Sequence, residues 1–507
     1  MATMKNNLTE YFNNTVAKFP DNTAIDDNQA VLSFAELNKI SDQIAVEIIS
    51  KTKGRNQPIA VYLPKNRWSV ASFIGIFKSG NFYIPLNTKS AGGHVLKIIQ
   101  TLRADLIITD FEHKEELINL GYKGNISCIE TVLDVSISDA EMTRLDHIAN
   151  SIIDLDPIYS IFTSGSTGAP KGVLISHRGV IDFIEWAITT YDLSNKTSIG
   201  NQVPFYFDMS VLDIYLMVFT GATLQIIPED RFAFPIKLIE YVNEKNINFI
   251  FWVPSVLNSV SNFDAFSVIK PSSLEKILFA GEVMSNKHLN YWRKHHPNAL
   301  YSNLYGPTEI TVIATYFIVN RAFKDDEPLP IGKACKNTQT LILSDKGQLI
   351  KKGETGELYL RGSLLALGYY NDIEKTKEVF VQNPLHNTYS DVVYKTGDLV
   401  YENDLNDIVF VGRKDSQIKH LGYRIELGEI ETAISGIKAV GNACVLYNDN
   451  QKKIVAFINH YETSAQIRKK LSHSLPKYMI PTKWITMEEF PLNANGKIDR
   501  KALKSMV

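Results

Sequence analysis

The sequence predicts an α/β protein: a large N-terminal domain of βαβ sheet subdomains with a small β-rich subdomain, followed by a small α+β C-terminal domain. Short apolar, strand-like runs alternate with helix-like segments up to about residue 345, a pattern typical of parallel sheets. Beyond that point, short strands are separated by glycine and charged turns. The chain of 507 residues is also too long for a single core.

The predicted elements follow in chain order. Strand-like runs cover residues 59–63, 105–110, 158–162, 223–227, 249–253 and 277–280. Helix-like segments cover residues 69–78, 235–244 and 287–296, and the later short strands cover residues 357–361 and 407–411. The charged joint after Gly412 is more typical of a hinge than of a flexible tether. We therefore expect a large domain at 1–412, a hinge at 413–417 and a small domain at 418–507.

Composition narrows the possible functions. Hydrophobic residues make up 45% and charged residues 21%, which is typical of a globular protein. The net charge of −2 provides no basic field for nucleic acid. Cys128, Cys335 and Cys444 lack metal-ligand spacing. The N-terminus has no apolar core of a signal peptide, and the apolar stretch 70–77 is too short for a bilayer. A cytoplasmic location without membrane insertion is expected by default.

A loop typical of phosphate binding follows the run at 158–162. Residues 161–172 read IFTSGSTGAPKG, so an apolar run leads into hydroxyl residues, glycines and a lysine. Glycines let backbone amides turn towards an anion, and the lysine adds positive charge. The segment lacks the Gly-Lys-Ser/Thr ending of a Walker loop. A Gly/Ser surface turn is the alternative for this segment taken alone. The candidate phosphate ligands are Thr163, Ser164, Gly165, Ser166, Thr167, Gly168 and Lys171.

This loop is the first of seven motifs that occur in a fixed order. The others are FD at 207–208, NLYGPTE at 303–309, YKTGD at 394–398, GRKDSQIK at 412–419, LGYRIE at 421–426 and NGKIDR at 495–500. In these motifs the chain resembles the adenylate-forming superfamily of acyl-CoA synthetases, luciferases and peptide-synthetase adenylation domains. The resemblance covers nearly the whole chain, from residue 32 to residue 500. Segments 207–215 and 281–283 most resemble free-standing adenylation enzymes, including the D-alanine–carrier protein ligases.

The resemblance implies a binding site for ATP with Mg²⁺. The implied roles are Tyr305 on the adenine face, Asn303 at the adenine edge, Thr308 at the α-phosphate, Glu309 on Mg²⁺, and Asp398 and Arg413 on the ribose. The carboxylate of Glu309 suits the role of a Mg²⁺ ligand, because Mg²⁺ prefers oxygen ligands. For Asp398 taken alone, a carboxylate in a turn is the alternative.

The resemblance also implies two orientations of a mobile small domain. Lys497 is the implied catalytic lysine of adenylate formation, acting with Thr308 and Glu309, since a single cation offsets the charge that builds up as two anions meet. Asp415 is the implied hinge residue. Gly422 is expected to line a tunnel for the thiol, because a residue without Cβ leaves room for a slender arm. A solvated surface lysine is the alternative for Lys497 taken alone.

Asp208 indicates which class of acid is activated. The resemblance pairs this aspartate with the α-ammonium group of an amino acid, and a buried carboxylate without such a partner is costly. An aspartate that caps a helix at 209–219 is the alternative. The other implied pocket positions are apolar: Met209, Leu212, Phe251, Leu278, Ala280, Leu304, Val312 and Ile313, with Phe205 flanking the entrance.

This lining predicts a small apolar amino acid, alanine or glycine, with alanine preferred. No pocket position offers a charge or amide to a polar side chain, and an unpaired buried hydroxyl is costly. Valine or leucine is the alternative, because an apolar lining also suits a branched chain. Ala280 stands where D-alanine ligases commonly carry cysteine, so the sequence does not distinguish D from L.

We therefore predict an ATP-dependent, AMP-forming amino acid–carrier protein ligase. No carrier-domain serine motif follows residue 500, so the expected acceptor is phosphopantetheine on a separate carrier protein. One alternative is an acyl-CoA or aryl-acid ligase of the same superfamily, and another is a non-enzymatic nucleotide-binding relative. The presence of Lys171, Glu309, Asp398 and Lys497 together argues against the second alternative.

Overall fold

A computed structural model of the chain describes residues 6–163, 170–414, 417–437, 440–448, 450–460, 463–491 and 498–507. Two large, mainly parallel sheets and the helices around them form most of the N-terminal part. A smaller antiparallel sheet follows them, and a compact α+β unit lies at the C-terminal end. The predicted fold class is confirmed.

The larger sheet has nine strands with a parallel centre and antiparallel edges. Its spatial order is Lys333–Ala334, Thr315–Ile318, Leu300–Tyr305, Lys276–Phe279, Phe249–Trp252, Ser198–Asn201, Thr223–Ile226, Thr23–Asp26 and Val31–Ser33. The central strand Phe249–Trp252 is buried at every residue. Such a continuous apolar run is expected where helices cover both faces of a parallel sheet.

The second large sheet has seven strands, and its antiparallel edge carries the start of the phosphate-loop motif. Its spatial order is Gly368–Tyr369, Lys171–Ser176, Pro157–Thr163, Phe82–Pro85, Pro58–Tyr62, Leu106–Thr109 and Asn125–Cys128. The strand Pro157–Thr163 ends where the hydroxyl- and glycine-rich segment begins, and the strand Lys171–Ser176 starts at the motif lysine.

The remaining sheets are smaller. An antiparallel five-stranded sheet contains Thr338–Leu343, Gly356–Gly362, Val392–Glu402, Phe380–Gln382 and Ile408–Arg413. The C-terminal unit holds the hairpin of Gln417–His420 with Tyr423–Glu426, and a three-stranded sheet of Val440–Asn448, Lys453–His460 and Lys483–Thr486. Much of this unit packs around a core cluster drawn from residues 425–479.

The helices lie between and outside the sheets. Those of the large domain are Leu8–Lys18, Phe34–Lys51, Arg67–Lys78, Gly92–Leu102, Phe111–Asn119, Ile129–Val132, Asp139–Ser151, His177–Tyr191, Ser210–Thr220, Pro235–Glu244, Pro254–Asn262, Asn286–His295 and Ile373–Val379. Those of the small domain are Leu427–Ser435, Ser464–Leu471 and Arg500–Lys504. Short 3₁₀ turns occupy Glu229–Ala233, Ala265–Ser267, Thr308–Ile310 and Lys477–Met479.

One core cluster joins the two large sheets. The helices Arg67–Lys78 and Ser210–Thr220 are buried over most of their length within it, as expected for helices that are apolar on every face. A second cluster covers the other face of the nine-stranded sheet beneath Pro235–Glu244, Pro254–Asn262 and Asn286–His295. None of the helices in the described ranges combines the length and apolar character that a bilayer crossing requires.

Candidate active site

A cavity opens where the large domain meets the small one, beside the carboxyl ends of the central strands. Its walls come from strand ends, the turn at residues 206–209 before the helix Ser210–Thr220, and the small-domain hairpin. In doubly wound sheets, ligands bind at this end of the strands. The lining comprises Ile161, Phe162, Thr163, Tyr206, Phe207, Asp208, Met209, Ala280, Gly281, Gly306, Pro307, Thr308, Val312, Ile313, Asp398, Arg413, Gln417, Lys419, Gly422, Tyr423, Arg424 and Tyr478.

Glu309 is a fully buried carboxylate beside this cavity, and three polar side chains surround it. Its Oε2 accepts a hydrogen bond from Arg424 Nη1 at 2.6 Å, and its Oε1 accepts one from the Tyr369 hydroxyl at 2.7 Å. Lys171 Nζ lies 3.9 Å from Oε1. Burial acts to raise the pKa of Glu309, but Arg424 and Lys171 outweigh it and hold that pKa at about 2. The carboxylate is therefore ionised at neutral pH.

Lys171 adds a cation with an unusually low proton affinity. Burial first, and then the neighbouring Arg424, lower the pKa of Lys171 to about 8. Its Nζ lies 3.3 Å from the Tyr369 hydroxyl. The Thr163 hydroxyl is buried and has no hydrogen-bond partner among the described residues, so it is available to an incoming oxygen. The predicted phosphate ligands Ser164, Gly165, Ser166, Thr167 and Gly168 lie outside the described residues.

The residues predicted to bind the nucleoside lie together. Asp398 and Arg413 are paired across two antiparallel strands, and Arg413 Nη1 lies 2.7 Å from Asp398 Oδ1. The Tyr305 hydroxyl donates to the other oxygen of Asp398. The side chain of Asn303 is buried beside them and donates to the Pro330 carbonyl at 2.8 Å. A pre-paired carboxylate at this position favours hydroxyl donors such as those of a ribose.

Asp208 lies at the apolar end of the cavity. The helix begins at Ser210, one residue later than predicted, and its N-cap position is Met209, which makes no side-chain cap. The helix-cap interpretation of Asp208 is therefore not supported. Burial raises the pKa of Asp208, opposed by a hydrogen bond from the Thr308 hydroxyl and by the charge of Lys419. A carboxylate raised in pKa by burial favours a cationic ligand.

The apolar positions predicted around Asp208 fall into two groups. Met209, Ala280, Val312 and Ile313 line the cavity. The rest are buried in the core cluster that contains those four residues: Leu212, Phe251, Leu278 and Leu304. Phe205, predicted at the entrance, instead packs edge-on to Phe73 with ring centroids 5.9 Å apart. Tyr206 and Phe207 line the cavity there.

The turn that carries Val312 is strained. Thr311 and Val312 have φ of 51° and 74°, a region that β-branched residues rarely adopt. The Thr311 hydroxyl donates to the Leu364 carbonyl at 2.7 Å, and the Ala314 N–H donates to the Tyr305 carbonyl at 2.8 Å. Strain that surrounding contacts maintain is common at ligand sites, and here the strained turn carries Val312, which lines the cavity.

The small domain contributes directly to the cavity. Gly422 has φ of 81°, and a Cβ at this position would lie 2.8 Å from Val253 Cγ1. Tyr423 packs edge-on to Phe207 with ring centroids 4.4 Å apart. In this orientation Gly422 and Arg424 of the small domain line the cavity. The predicted hinge residue Asp415 and the predicted catalytic Lys497 lie outside the described residues.

The acidic side chains of the described residues do not form a metal site by themselves. Across the described residues, no group of three or more His, Cys, Asp and Glu side chains could hold a metal ion. A magnesium ion at Glu309 would therefore take its other ligands from phosphate oxygens and water, which Mg²⁺ readily accepts. Each oxygen of Glu309 accepts one hydrogen bond in this structure, Oε2 from Arg424 and Oε1 from Tyr369.

Sequence reasoning missed Arg424, Tyr369 and Lys419 as site residues. Lys419 lines the cavity, with Nζ 5.8 Å from the Tyr305 ring centroid. Arg424 and Lys419 stand inside two of the seven motifs, so the sequence marked their positions but did not indicate what the two side chains do. Tyr369 stands in none of the seven motifs, and its contact with Glu309 joins residues 60 positions apart.

Comparison with known proteins identifies the family to which the chain belongs. The family model described as AMP-binding enzyme matches residues 12–370, and the AMP-binding enzyme C-terminal domain matches residues 429–497. The D-alanine–D-alanyl carrier protein ligase of Bacillus cytotoxicus is 32% identical over 516 residues, covering 99% of each chain. Zwittermicin A synthase ZmaJ of Bacillus cereus is 31% identical, covering 98% of this chain and 94% of its own.

A solved structure shares the fold. It is holo-PA1221, described as an NRPS protein containing adenylation and PCP domains bound to a vinylsulfonamide inhibitor. It superposes with a TM-score of 0.84 at 22% identity, covering 99% of this chain and 84% of that one. At this identity the likeness concerns the fold alone.

Proposed function

Since the chain belongs to the family of AMP-binding enzymes, we propose that it activates a small apolar amino acid with ATP and passes it to a carrier-protein thiol. In the first step a carboxylate oxygen of the amino acid attacks the α-phosphorus of ATP, and pyrophosphate leaves. In the second step a thiol attacks the carbonyl of the mixed anhydride, AMP leaves, and the thiol proton passes to solvent.

The observation that carries this proposal is Asp208. Its carboxylate is in a cavity with apolar side chains of Met209, Ala280 and Ile313, and burial raises its pKa. An ammonium group placed there would favour the ionised carboxylate and offset its desolvation. A fatty or aryl acid would provide no such charge, so the site favours an amino acid.

The nucleotide is assigned to the other end of the cavity. The pair Asp398–Arg413 is proposed to hold the ribose, with Tyr305 against the adenine and Asn303 near its edge. Lys171, Thr308 and the segment 163–168 are proposed to hold the phosphates. Thr163 lines the cavity and is paired with Lys171 across two antiparallel strands. The Thr163 hydroxyl has no hydrogen-bond partner among the residues that the structure describes, which supports this division.

Magnesium fits Glu309, whose pKa of about 2 keeps an ionised oxygen ligand in the site. A bound magnesium ion would neutralise phosphate charge. Arg424 donates to Oε2 of Glu309 in the present orientation. We propose that metal binding would be favoured in the orientation in which Arg424 has moved away, because the positive guanidinium would then no longer repel a second cation.

The orientation of the small domain supports a second step at the same cavity. Gly422 and Tyr423 reach the cavity from the small domain, as expected for the thiol-transfer state. Lys497 is proposed to act in the other orientation, and Asp415 is proposed as the hinge between residues 1–412 and 418–507. The acceptor is proposed to be a phosphopantetheine arm, which passes beside the glycine backbone.

The size of the amino acid is inferred from the cavity end around Asp208. Met209, Val312 and Ile313 border this end, and Phe251 and Leu304 fill the core beneath it. No polar side chain other than Asp208 belongs to this set, so a polar substrate side chain would stay unpaired. Alanine is proposed first, with glycine next.

A thioester-forming assay with two acceptors tests the proposal. The purified protein is given ATP, magnesium and alanine, with either free coenzyme A or a phosphopantetheinylated carrier protein, and the thioesters are measured by mass spectrometry. We expect alanyl-carrier to form and alanyl-CoA to stay at background. Loading of coenzyme A, with no loading of any carrier, would favour an acyl-CoA or aryl-acid ligase instead.

A further inference from the structure

Glu282 joins the two domains through a single carboxylate. It lies in the turn after the strand Lys276–Phe279, beside Gly281. Its Oε2 accepts the Ser255 N–H at 2.9 Å, within the large domain. Its Oε1 accepts the Gly422 N–H at 2.9 Å, across the domain boundary.

The first contact fixes the carboxylate in place. The helix Pro254–Asn262 follows Val253, which makes no side-chain cap. The N–H groups of a first helical turn need acceptors from outside the helix, and a negative charge is favoured at this end. Glu282 meets both needs. Because Glu282 and Ser255 both belong to the large domain, this contact does not depend on where the small domain stands.

The second contact exists only in the present orientation. The Gly422 N–H reaches Glu282 because Gly422 lies against Val253, where a Cβ would come within 2.8 Å of Cγ1. If the small domain rotates, Gly422 leaves and Oε1 returns to water. A hydrogen bond that forms in one of two states stabilises that state alone.

We propose that Glu282 is a positioning residue for thiol transfer, which holds the small domain where Gly422 borders the cavity. This inference rests on the proposed two-step function. Hydrogen bonds to charged groups contribute enough to shift an equilibrium about ten- to a hundredfold. Removal of this bond is therefore expected to slow transfer by about that factor. Adenylate formation belongs to the other orientation and does not use the bond.

Glu282→Gln tests the proposal with almost no change in shape. A carboxamide has one acceptor oxygen, so it cannot accept both the Ser255 and the Gly422 N–H groups. Two reactions are measured for each protein: alanine-dependent ATP–pyrophosphate exchange, and single-turnover transfer from enzyme-bound alanyl-AMP to the thiol of pantetheine. Val283→Ala is the matched control, since that neighbouring residue is 71% exposed.

We expect Glu282→Gln to slow transfer about tenfold or more while exchange matches that of the wild type, and Val283→Ala to change neither. Unchanged transfer in Glu282→Gln would overturn the proposal. An equal fall in both reactions together with a lower thermal unfolding midpoint would also overturn it, because the carboxylate would then only cap its helix. A wild type inactive in exchange with every amino acid would refute the proposed function before any variant is compared.

Discussion

At the scale of single residues, the site consists of charges whose environments differ sharply. Glu309 is held ionised by Arg424 and Lys171, whereas burial raises the pKa of Asp208. Glu309 is thus in direct contact with a guanidinium, whereas for Asp208 burial outweighs the Thr308 hydroxyl and the charge of Lys419. This difference explains why we assign the metal and phosphates to one end of the cavity and the substrate ammonium to the other.

Replacement of Asp208 tests the substrate end. Asp208→Asn removes the negative charge but keeps the size of the side chain, so it should raise the KM for alanine far more than the KM for ATP. Loss of one partner of a buried ion pair typically costs about 3–5 kcal/mol. Steady-state exchange kinetics with each substrate varied in turn would measure the effect. Equal weakening for both substrates would argue against ammonium recognition.

Lys171 should make ATP binding depend on pH. Its pKa of about 8, lowered by burial and by Arg424, means that it carries its proton below that pH and loses it above. Phosphate binding needs the charged form, so the KM for ATP should rise as the pH increases beyond about 8. Lys171→Arg should remove this rise, because a guanidinium keeps its proton. A KM profile equally steep in the variant would contradict the assignment of this titration to Lys171.

At the scale of elements, much of the fold follows from the sequence. The predicted helix at residues 235–244 coincides with Pro235–Glu244, because a proline at its first turn and an apolar stripe fix both ends. The helix after Asp208 starts at Ser210, one residue later than predicted. The residues before it form a turn through backbone hydrogen bonds, such as that from the Ser210 N–H to the Phe207 carbonyl. Apolar periodicity does not record such turns.

The site was less predictable because its contacts cross elements. The motifs predicted that Tyr305, Asp398 and Arg413 bind the nucleoside together, and in the structure these three side chains are in contact. Motif order did not reveal that Arg424 reaches Glu309 from another domain. It also could not separate cavity-lining residues such as Met209 from core residues such as Leu212, since both are apolar and buried.

The strand Leu300–Tyr305 offers a test of pocket depth. Leu304→Gly removes a buried side chain beneath the cavity and should shift exchange activity towards leucine and phenylalanine relative to alanine. Loss of a buried leucine side chain also costs roughly 2–5 kcal/mol of stability. Leu289→Ala, in the helix Asn286–His295 and in a separate core cluster, is the control for destabilisation alone. An unchanged preference in Leu304→Gly would show that this strand does not set the depth.

At the scale of the whole molecule, one cavity is shared by two domains. The small domain presents Gly422, Tyr423 and Arg424 to it, while the motif with Lys497 belongs to the same domain and is proposed to take their place. Each orientation then supplies the groups for one half-reaction. Arg424 belongs to the small domain and contacts Glu309 of the large domain, so the charge beside the proposed metal ligand depends on the orientation.

Lys497→Ala tests this alternation. Adenylate formation should fall by orders of magnitude, because the cation that meets the developing charge is gone. Transfer from supplied alanyl-AMP to a thiol should stay close to that of the wild type, since Lys497 is withdrawn in that orientation. The two half-reactions are measured separately under single-turnover conditions. Equal loss of both would contradict a small domain that alternates.

The most direct test of the central claim is amino-acid-dependent ATP–pyrophosphate exchange across the common L- and D-amino acids, with propionate and benzoate as acids that lack the ammonium group. We expect exchange with alanine to be highest, glycine to follow, and propionate and benzoate to stay at background, because Asp208 requires a cation. Exchange supported by propionate or benzoate but by no amino acid would contradict the account. A preference for leucine or phenylalanine over alanine would contradict its assignment of substrate size.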